Sequence, residues 1–192
     1  DFIGGTLNPI FALFSLFADF AAQNRVNLQT MSMAGGLPPL DFHIPLMSIP
    51  CYLQTTLASI PANVPYLCAA PDLLTKWETK LNAAIPTQNF RIGIVWAGSG
   101  GHVLDKARSL HLTQLKSVLE TPNVQFISLQ KGEAALQITT QIAAQKVNII
   151  HLMDEITDFS ETAALITQLD LVISVDTSVL HLAGALGKEV WL

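Results

Sequence analysis

The chain has 192 residues, 50% hydrophobic and 13% charged, which is enough apolar content for a sizeable core. Its formal net charge of −5 and pI near 5.4 argue against a nucleic-acid surface. Cys51 and Cys68, the only cysteines, stand in no metal-like spacing and read as reduced core residues of a cytoplasmic protein.

Residues 10–22 form the most apolar run, broken by Ser15 and Asp19. It is too short and too interrupted to span a bilayer, and with no Lys or Arg on its polar face it reads as a buried helix rather than an interfacial one. No basic stretch precedes an apolar one, so no signal peptide is visible. The chain starts at Asp1 and stops inside an expected strand, and it therefore reads as a fragment of a longer protein. The segments LPPLDFHIPLMSIP and SIPANVPYL are Pro-rich and suit edges and extended pieces. Residues 73–84 predict a helix, and Pro86, Thr87, Gln88 and Asn89 a short polar connection. The domain boundary is expected there, with 1–88 as part of an N-terminal domain plus linker and 89–192 as a second domain.

From Arg91 the pattern is regular. Strands are expected at 92–97, 124–129, 148–152, 171–175 and from Val190, alternating with helical patterns that run through Ala144 and Gln168. Short strands, apolar on both faces and separated by helices, predict an α/β domain with a doubly wound parallel sheet. Ligands bind such sheets outside the carboxyl ends of the strands. Gly98 to His102, Gln130 to Glu133, Met153 to Ser160 and Asp176 to His181 all fall at those ends.

The last turn is the most informative. Asp176, Thr177 and Ser178 are all good N-cap residues, placed between a buried strand and an apolar helix that stops at Gly187. A strand that turns at once into a helix aims several backbone N–H groups and the positive end of a dipole at one spot, which suits a phosphate or pyrophosphate. The same residues also fit an ordinary βα turn.

The glycine-rich loop at Gly98 raises a dinucleotide fold, but Val103 stands where that fingerprint needs its third glycine, and the second strand ends in Gln130 rather than an acid. No P-loop motif is present. What remains suits a phosphorylated ligand. Arg108 precedes Ser109, a candidate cap for the next helix. Lys131 sits in a strand-to-helix turn, and His181 lies one turn into the last helix. Each has a structural alternative: a solvated loop charge, a turn lysine, a packed histidine. Three such side chains on one edge of a sheet favour the functional reading.

The segments WAGSGGHVLDKARS, SLQKG, DFSETAALI and VDTSVLHLAGALGK, in that order, resemble the second domain of the heptosyltransferase-like glycosyltransferases, family nine, and the related catalytic regions found behind tetratricopeptide repeats in bacteria. Leu37 to Pro50 resembles the late first domain of the repeat-associated group, so the resemblance runs from about Leu37 to the end. It implies a GT-B architecture of two Rossmann-like domains, with part of the N-terminal one present and the C-terminal one probed by these motifs. It further implies sugar transfer from a nucleotide-diphosphate sugar to a glycan or protein acceptor, with no metal and no other cofactor. The setting would be cytoplasmic, or peripheral at the inner membrane.

On that resemblance Asp176, Thr177, Ser178, Arg108, Gly98 and Lys131 would hold the donor phosphates, with His181 beside them as a catalytic group. Met153 and Glu161 would lie toward the nucleoside. Asp41 and His43 are the first-domain candidates for the base that deprotonates the acceptor, and both also fit structural roles: a turn cap and a strand residue. Heptosyltransferases usually have Gly where this chain has Ser178, and Ser narrows the backbone's freedom there. Two other classes stay open: a nucleotide-sugar epimerase of the same architecture, and a non-catalytic nucleotide-binding or scaffold module.

Overall fold

Residues 90–192 build a five-stranded sheet, every neighbouring pair parallel, in the order β3-β2-β1-β4-β5. The computed structural model describes residues 44–60, 63–86, 88–100, 105–139 and 149–192. The strands are β1 (Phe90–Val95), β2 (Val124–Ser128), β3 (Ile149–His151), β4 (Leu171–Ser174) and β5 (Glu189–Trp191). All five fall on the apolar runs that predicted them. The helices that position the site are α1 (Pro71–Ala84), α2 (Asp105–Arg108), α3 (Phe159–Thr167) and α4 (Ser178–Ala185). Residues 136–139 are helical, and the rest of the helix expected through Ala144 lies outside the described residues.

Period-two alternation sends side chains to both faces. Val95, Ile127 and Val172 pack with Trp77 and Leu81 of α1, Leu165 and Ile166 of α3, and Leu182 and Ala183 of α4. Ile92, Ile94, Phe126 and Leu171 pack on the other face with Leu112, Leu119 and Ile138. Burial on both sides is what a parallel sheet requires. Gly93 is a glycine for packing: a Cβ there would come within 2.6 Å of Leu169 and 2.7 Å of Leu129.

Helix α1 begins with Pro71 at its first turn and buries Trp77 and Leu81 fully. It was expected ahead of the boundary near residue 88, yet it shares one core with the sheet, and the compact unit that holds the sheet includes Val64–Leu192. The described part of the second unit holds a 3-10 turn, Leu46–Ser48, running into a helical turn, Ile49–Tyr52. Cys51 and Cys68 are both exposed free thiols, which corrects their reading as core residues. Each stands in or beside a proline-bounded segment with little apolar cover. Among the described residues no helix is long and apolar enough to cross a membrane.

Candidate functional site

The strand order reverses direction at β1: the chain runs outward from β1 to β2 and β3, then returns to β4 on the other side. The carboxyl ends of β1 and β4 therefore flank a switch point, where open α/β sheets form their ligand crevice between the two loops. The loop after β1 carries Gly98 and the loop after β4 carries Asp176.

One side chain joins them. Arg108, at the end of α2, donates from Nη1 to the main-chain carbonyl of Asp176 at 2.8 Å. Its Nε and Nη2 both lie 3.2 Å from Oδ1 of Asp105. Asp105 is buried, and its other oxygen accepts the Gly100 N–H at 3.0 Å and the Ser109 hydroxyl at 3.3 Å. Ser109 Oγ in turn accepts the Gly98 N–H at 3.0 Å. Gly98 is required by this packing: a Cβ would fall 1.9 Å from Asp105 Oδ1. The sequence reading made Ser109 a helix cap, but that role belongs to His111. The His111 ring accepts from Thr113 N, and the Gln114 side chain accepts the His111 N–H at 2.7 Å. Ser109 is drawn away to the Gly98 loop instead.

Helix α4 starts on the far side of the crevice. Thr177 is its N-cap, extended at φ −142° and ψ 166°, yet its side chain makes no capping bond. Ser174 Oγ donates to the Val175 carbonyl at 2.7 Å, so the Thr177 hydroxyl, 3.0 Å away, donates to Ser174 Oγ. The hydroxyl is thereby turned toward the strand rather than onto the first-turn N–H groups of Ser178 and Val179. Nε2 of His181 donates to Oδ1 of Asp176 at 3.1 Å, with the imidazole largely covered and the carboxylate mostly exposed. Arg108, Gly98, Asp176, Thr177, Ser178 and His181 thus gather around the mouths of β1 and β4.

Lys131 and Met153 lie one strand over. They line an open cavity of about 440 Å³ at the carboxyl ends of β2 and β3, together with His151, Asp154, Ile138 and Ile156. Lys131 Nζ donates to the Ile156 carbonyl at 2.6 Å, which stretches the side chain across the cavity. The lining mixes apolar side chains such as Ile138, Met153 and Ile156 with polar ones such as Lys131, His151 and Asp154, the mixture that suits a planar ring carrying hydrogen-bonding groups.

Gln130 connects the two regions. It is buried; its Oε1 accepts the Trp96 and Ala97 N–H groups at 3.1 and 2.9 Å, and its Nε2 donates to the Ala97 and Lys131 carbonyls at 3.0 Å each. All four capacities of the amide are used to clamp the end of β1 to the end of β2. From the sequence Gln130 is placed at a strand's carboxyl end and stands where an acid is missing, but its role as a clamp is not foreseen. The available signal was a polar side chain closing an otherwise apolar strand.

Glu161 is placed elsewhere. Its carboxylate accepts the buried Trp77 indole N–H at 2.7 Å and pairs with Lys76 at 2.8 Å, and it is not among the residues lining the cavity. Asp41 and His43 lie outside the described residues. Among the described residues no group of three His, Cys, Asp or Glu side chains could hold a metal ion.

Residues 86–190 match the sequence model of glycosyltransferase family 9 (heptosyltransferase). Protein FlbA of Caulobacter vibrioides is 27% identical over 143 residues, covering 73% of this chain and 24% of FlbA. Among solved structures, the E. coli ADP-heptose lps heptosyltransferase II superposes with a TM-score of 0.52 at 17% identity, over 71% of this chain and 42% of that one. The chain therefore spans about a quarter of that curated relative and under half of that solved structure. The structural likeness shows a shared fold, the α/β GT-B type expected from the motifs.

Proposed function

The chain belongs to glycosyltransferase family 9 (heptosyltransferase), and from that premise we propose that it binds the nucleotide-diphosphate sugar of a metal-independent glycosyl transfer. The observation that carries the proposal is the convergence at the switch point of one guanidinium, one imidazole and the N-terminus of α4. A nucleoside diphosphate gains negative charge as it leaves the sugar. Donors fixed in advance around the place where that charge develops lower the barrier without reorganising, and this is commonly the largest catalytic contribution. Arg108, a fork of five N–H groups, suits a pyrophosphate better than a point charge does. The first-turn amides of α4 supply neutral donors and a dipole of the right sign. His181 reaches the same oxygens from one turn further along the helix.

The cavity beside Met153 is the candidate seat of the base, and Lys131 at its rim offsets phosphate charge. The acceptor, a glycan or protein hydroxyl, needs a base within hydrogen-bond reach. Asp41 or His43 supplies it in this proposal. No cofactor is invoked beyond the donor itself.

The test uses the full-length protein that carries this chain. ADP is the first nucleotide to try, because the solved relative is named for ADP-heptose. Incubation with ADP-, GDP- and UDP-sugars, with and without candidate acceptors and chelator, should release nucleoside diphosphate in step with product sugar. Inversion of the free donor without acceptor would make the protein an epimerase. Failure of every nucleotide to bind would reduce it to a scaffold module.

A further inference from the structure

We infer that Asp105 is the positioning residue of the diphosphate site, acting through Arg108; the inference rests on the donor reading above. Four observations carry it. Asp105 is a carboxylate at only 8% exposure, and burying such a group is costly unless its oxygens are satisfied. Both oxygens are satisfied, and by different things. Oδ1 takes the Nε and Nη2 edge of Arg108, while Oδ2 takes the Gly100 N–H and the Ser109 hydroxyl. The carboxylate therefore fixes the guanidinium and the Gly98–Gly100 loop in one geometry. Gly98 stands where any Cβ would overlap Asp105 Oδ1, so the loop is built around that oxygen.

The consequence is directional. Arg108 has five N–H groups. With its Nε and Nη2 edge held by Asp105, Nη1 is turned across the crevice and donates to the Asp176 carbonyl. The guanidinium plane is thereby set at the mouth of β4, beside the first turn of α4. A free arginine would lose rotamer entropy on engaging a phosphate; one already clamped has lost it in the folded protein. Asp105 touches no phosphate in this arrangement. It also partly neutralises Arg108, so its value lies in orientation rather than in field.

The test is a cycle on the full-length protein, titrated calorimetrically with ADP, GDP, UDP and CDP and with the matching nucleosides. For whichever diphosphate wild type binds, Asp105→Asn should weaken binding about tenfold, the loss expected for one charged hydrogen bond. An amide offers one acceptor oxygen where the carboxylate offers two. The nucleoside should be held as before. Asp105→Asn on top of Arg108→Ala should cost nothing further, because the effect passes through Arg108. Arg108→Lys keeps the charge but cannot span Asp105 and the Asp176 carbonyl together, so it should bind as weakly as Arg108→Ala. That variant leaves Asp105 in place and guards against a simple folding defect. Additive losses in the double variant, equal losses for nucleoside and diphosphate, or wild-type affinity in Arg108→Lys would each overturn the inference while leaving the donor reading intact. If wild type binds none of the four diphosphates, the donor reading itself fails and this inference falls with it.

Discussion

The indole N–H of Trp77 donates to the carboxylate of Glu161 at 2.7 Å, joining helix α1 to the first turn of α3 beneath a fully covered ring. Lys76 and Lys80 sit 5.3 and 5.4 Å from the centre of the same ring, and each pairs with an acid across the gap, Glu161 and Glu155. Aromatic, cations and acids together seal the face of the sheet that α1 covers. Removing the acceptor strands a buried donor, which costs about 1–3 kcal/mol. Glu161→Ala should therefore lower unfolding stability by that amount in urea titrations, and Glu161→Gln, which keeps an acceptor oxygen, by less. An unchanged midpoint in Glu161→Ala would show the contact to be dispensable.

The outline of this arrangement was legible in the chain and its cross-links were not. Ile92 to Val95, Val124 to Ser128 and Leu171 to Ser174 are short, apolar and rich in β-branched residues, so their strands announce themselves. Arg108 and Asp176 are 68 residues apart, and their contact exists only because β1 and β4 are neighbours in the sheet. No local pattern encodes that adjacency. Nothing in the sequence singles out Asp105, and only the folded structure shows it buried with both oxygens engaged. The cap residues at α4 were recognised, but the turning of the Thr177 hydroxyl to Ser174 depends on how β4 ends. Glu161 sits in a matched motif, and the partner that claims it, Trp77, lies on a helix the motif does not include.

Gly98 offers a steric test of the loop. An added methyl would meet Asp105 Oδ1 at 1.9 Å, and the carboxylate would have to move and release Gly100 N and Arg108. Overpacking of this kind costs about 1–3 kcal/mol. Gly98→Ala should lose stability on that scale and lose diphosphate affinity with it. Normal melting together with normal binding would show that the loop relaxes freely.

Lys188 gives a pH signature. Its ammonium is half-buried and donates to the Leu169 carbonyl at 2.9 Å; burial lowers its pKa below the ordinary lysine value, and the Asp170 carboxylate only partly opposes this. Between the lowered value and the ordinary one, the unfolded chain binds more protons than the folded one, so stability rises with pH across that window. Burial raises the pKa of Tyr66, which makes stability fall with pH near the ordinary tyrosine value of about 10. The clean measurement is the difference between wild type and Lys188→Met. Wild type should gain on the variant as pH climbs toward about 10.4. A constant difference would remove Lys188 as the source.

Lys131 separates phosphate from base. Its Nζ donates to the Ile156 carbonyl, and both residues line the cavity proposed for the base. Lys131→Ala should weaken a nucleoside diphosphate by about 1–3 kcal/mol, as for a charge-assisted contact, and leave the free nucleoside nearly unaffected. Calorimetric titration showing equal loss for both ligands would make the lysine a wall of the cavity and nothing more.

His181 carries the prediction closest to chemistry. Its imidazole is held by the Asp176 carboxylate at 3.1 Å and sits one turn into α4, so ring and helix dipole face the same place. The carboxylate fixes the ring orientation and keeps a proton on Nε2. In the proposed transfer Nε2–H would turn from the carboxylate to the growing charge of the leaving diphosphate, beside the first-turn amides. Losing one preorganised donor of this kind costs roughly a hundredfold in turnover. His181→Ala in the full-length protein should show that fall in kcat, with a smaller change in KM, because the donor acts on charge that develops in the transition state. Chelator should leave both constants where they were. Asp176→Asn should reproduce part of the loss, since an amide oxygen holds the ring by a weaker hydrogen bond than the charged carboxylate does. A folded His181→Ala protein with unchanged kcat would reduce the histidine to packing. Inactivation by chelator would replace the metal-free mechanism with one in which a bound cation carries the leaving-group charge.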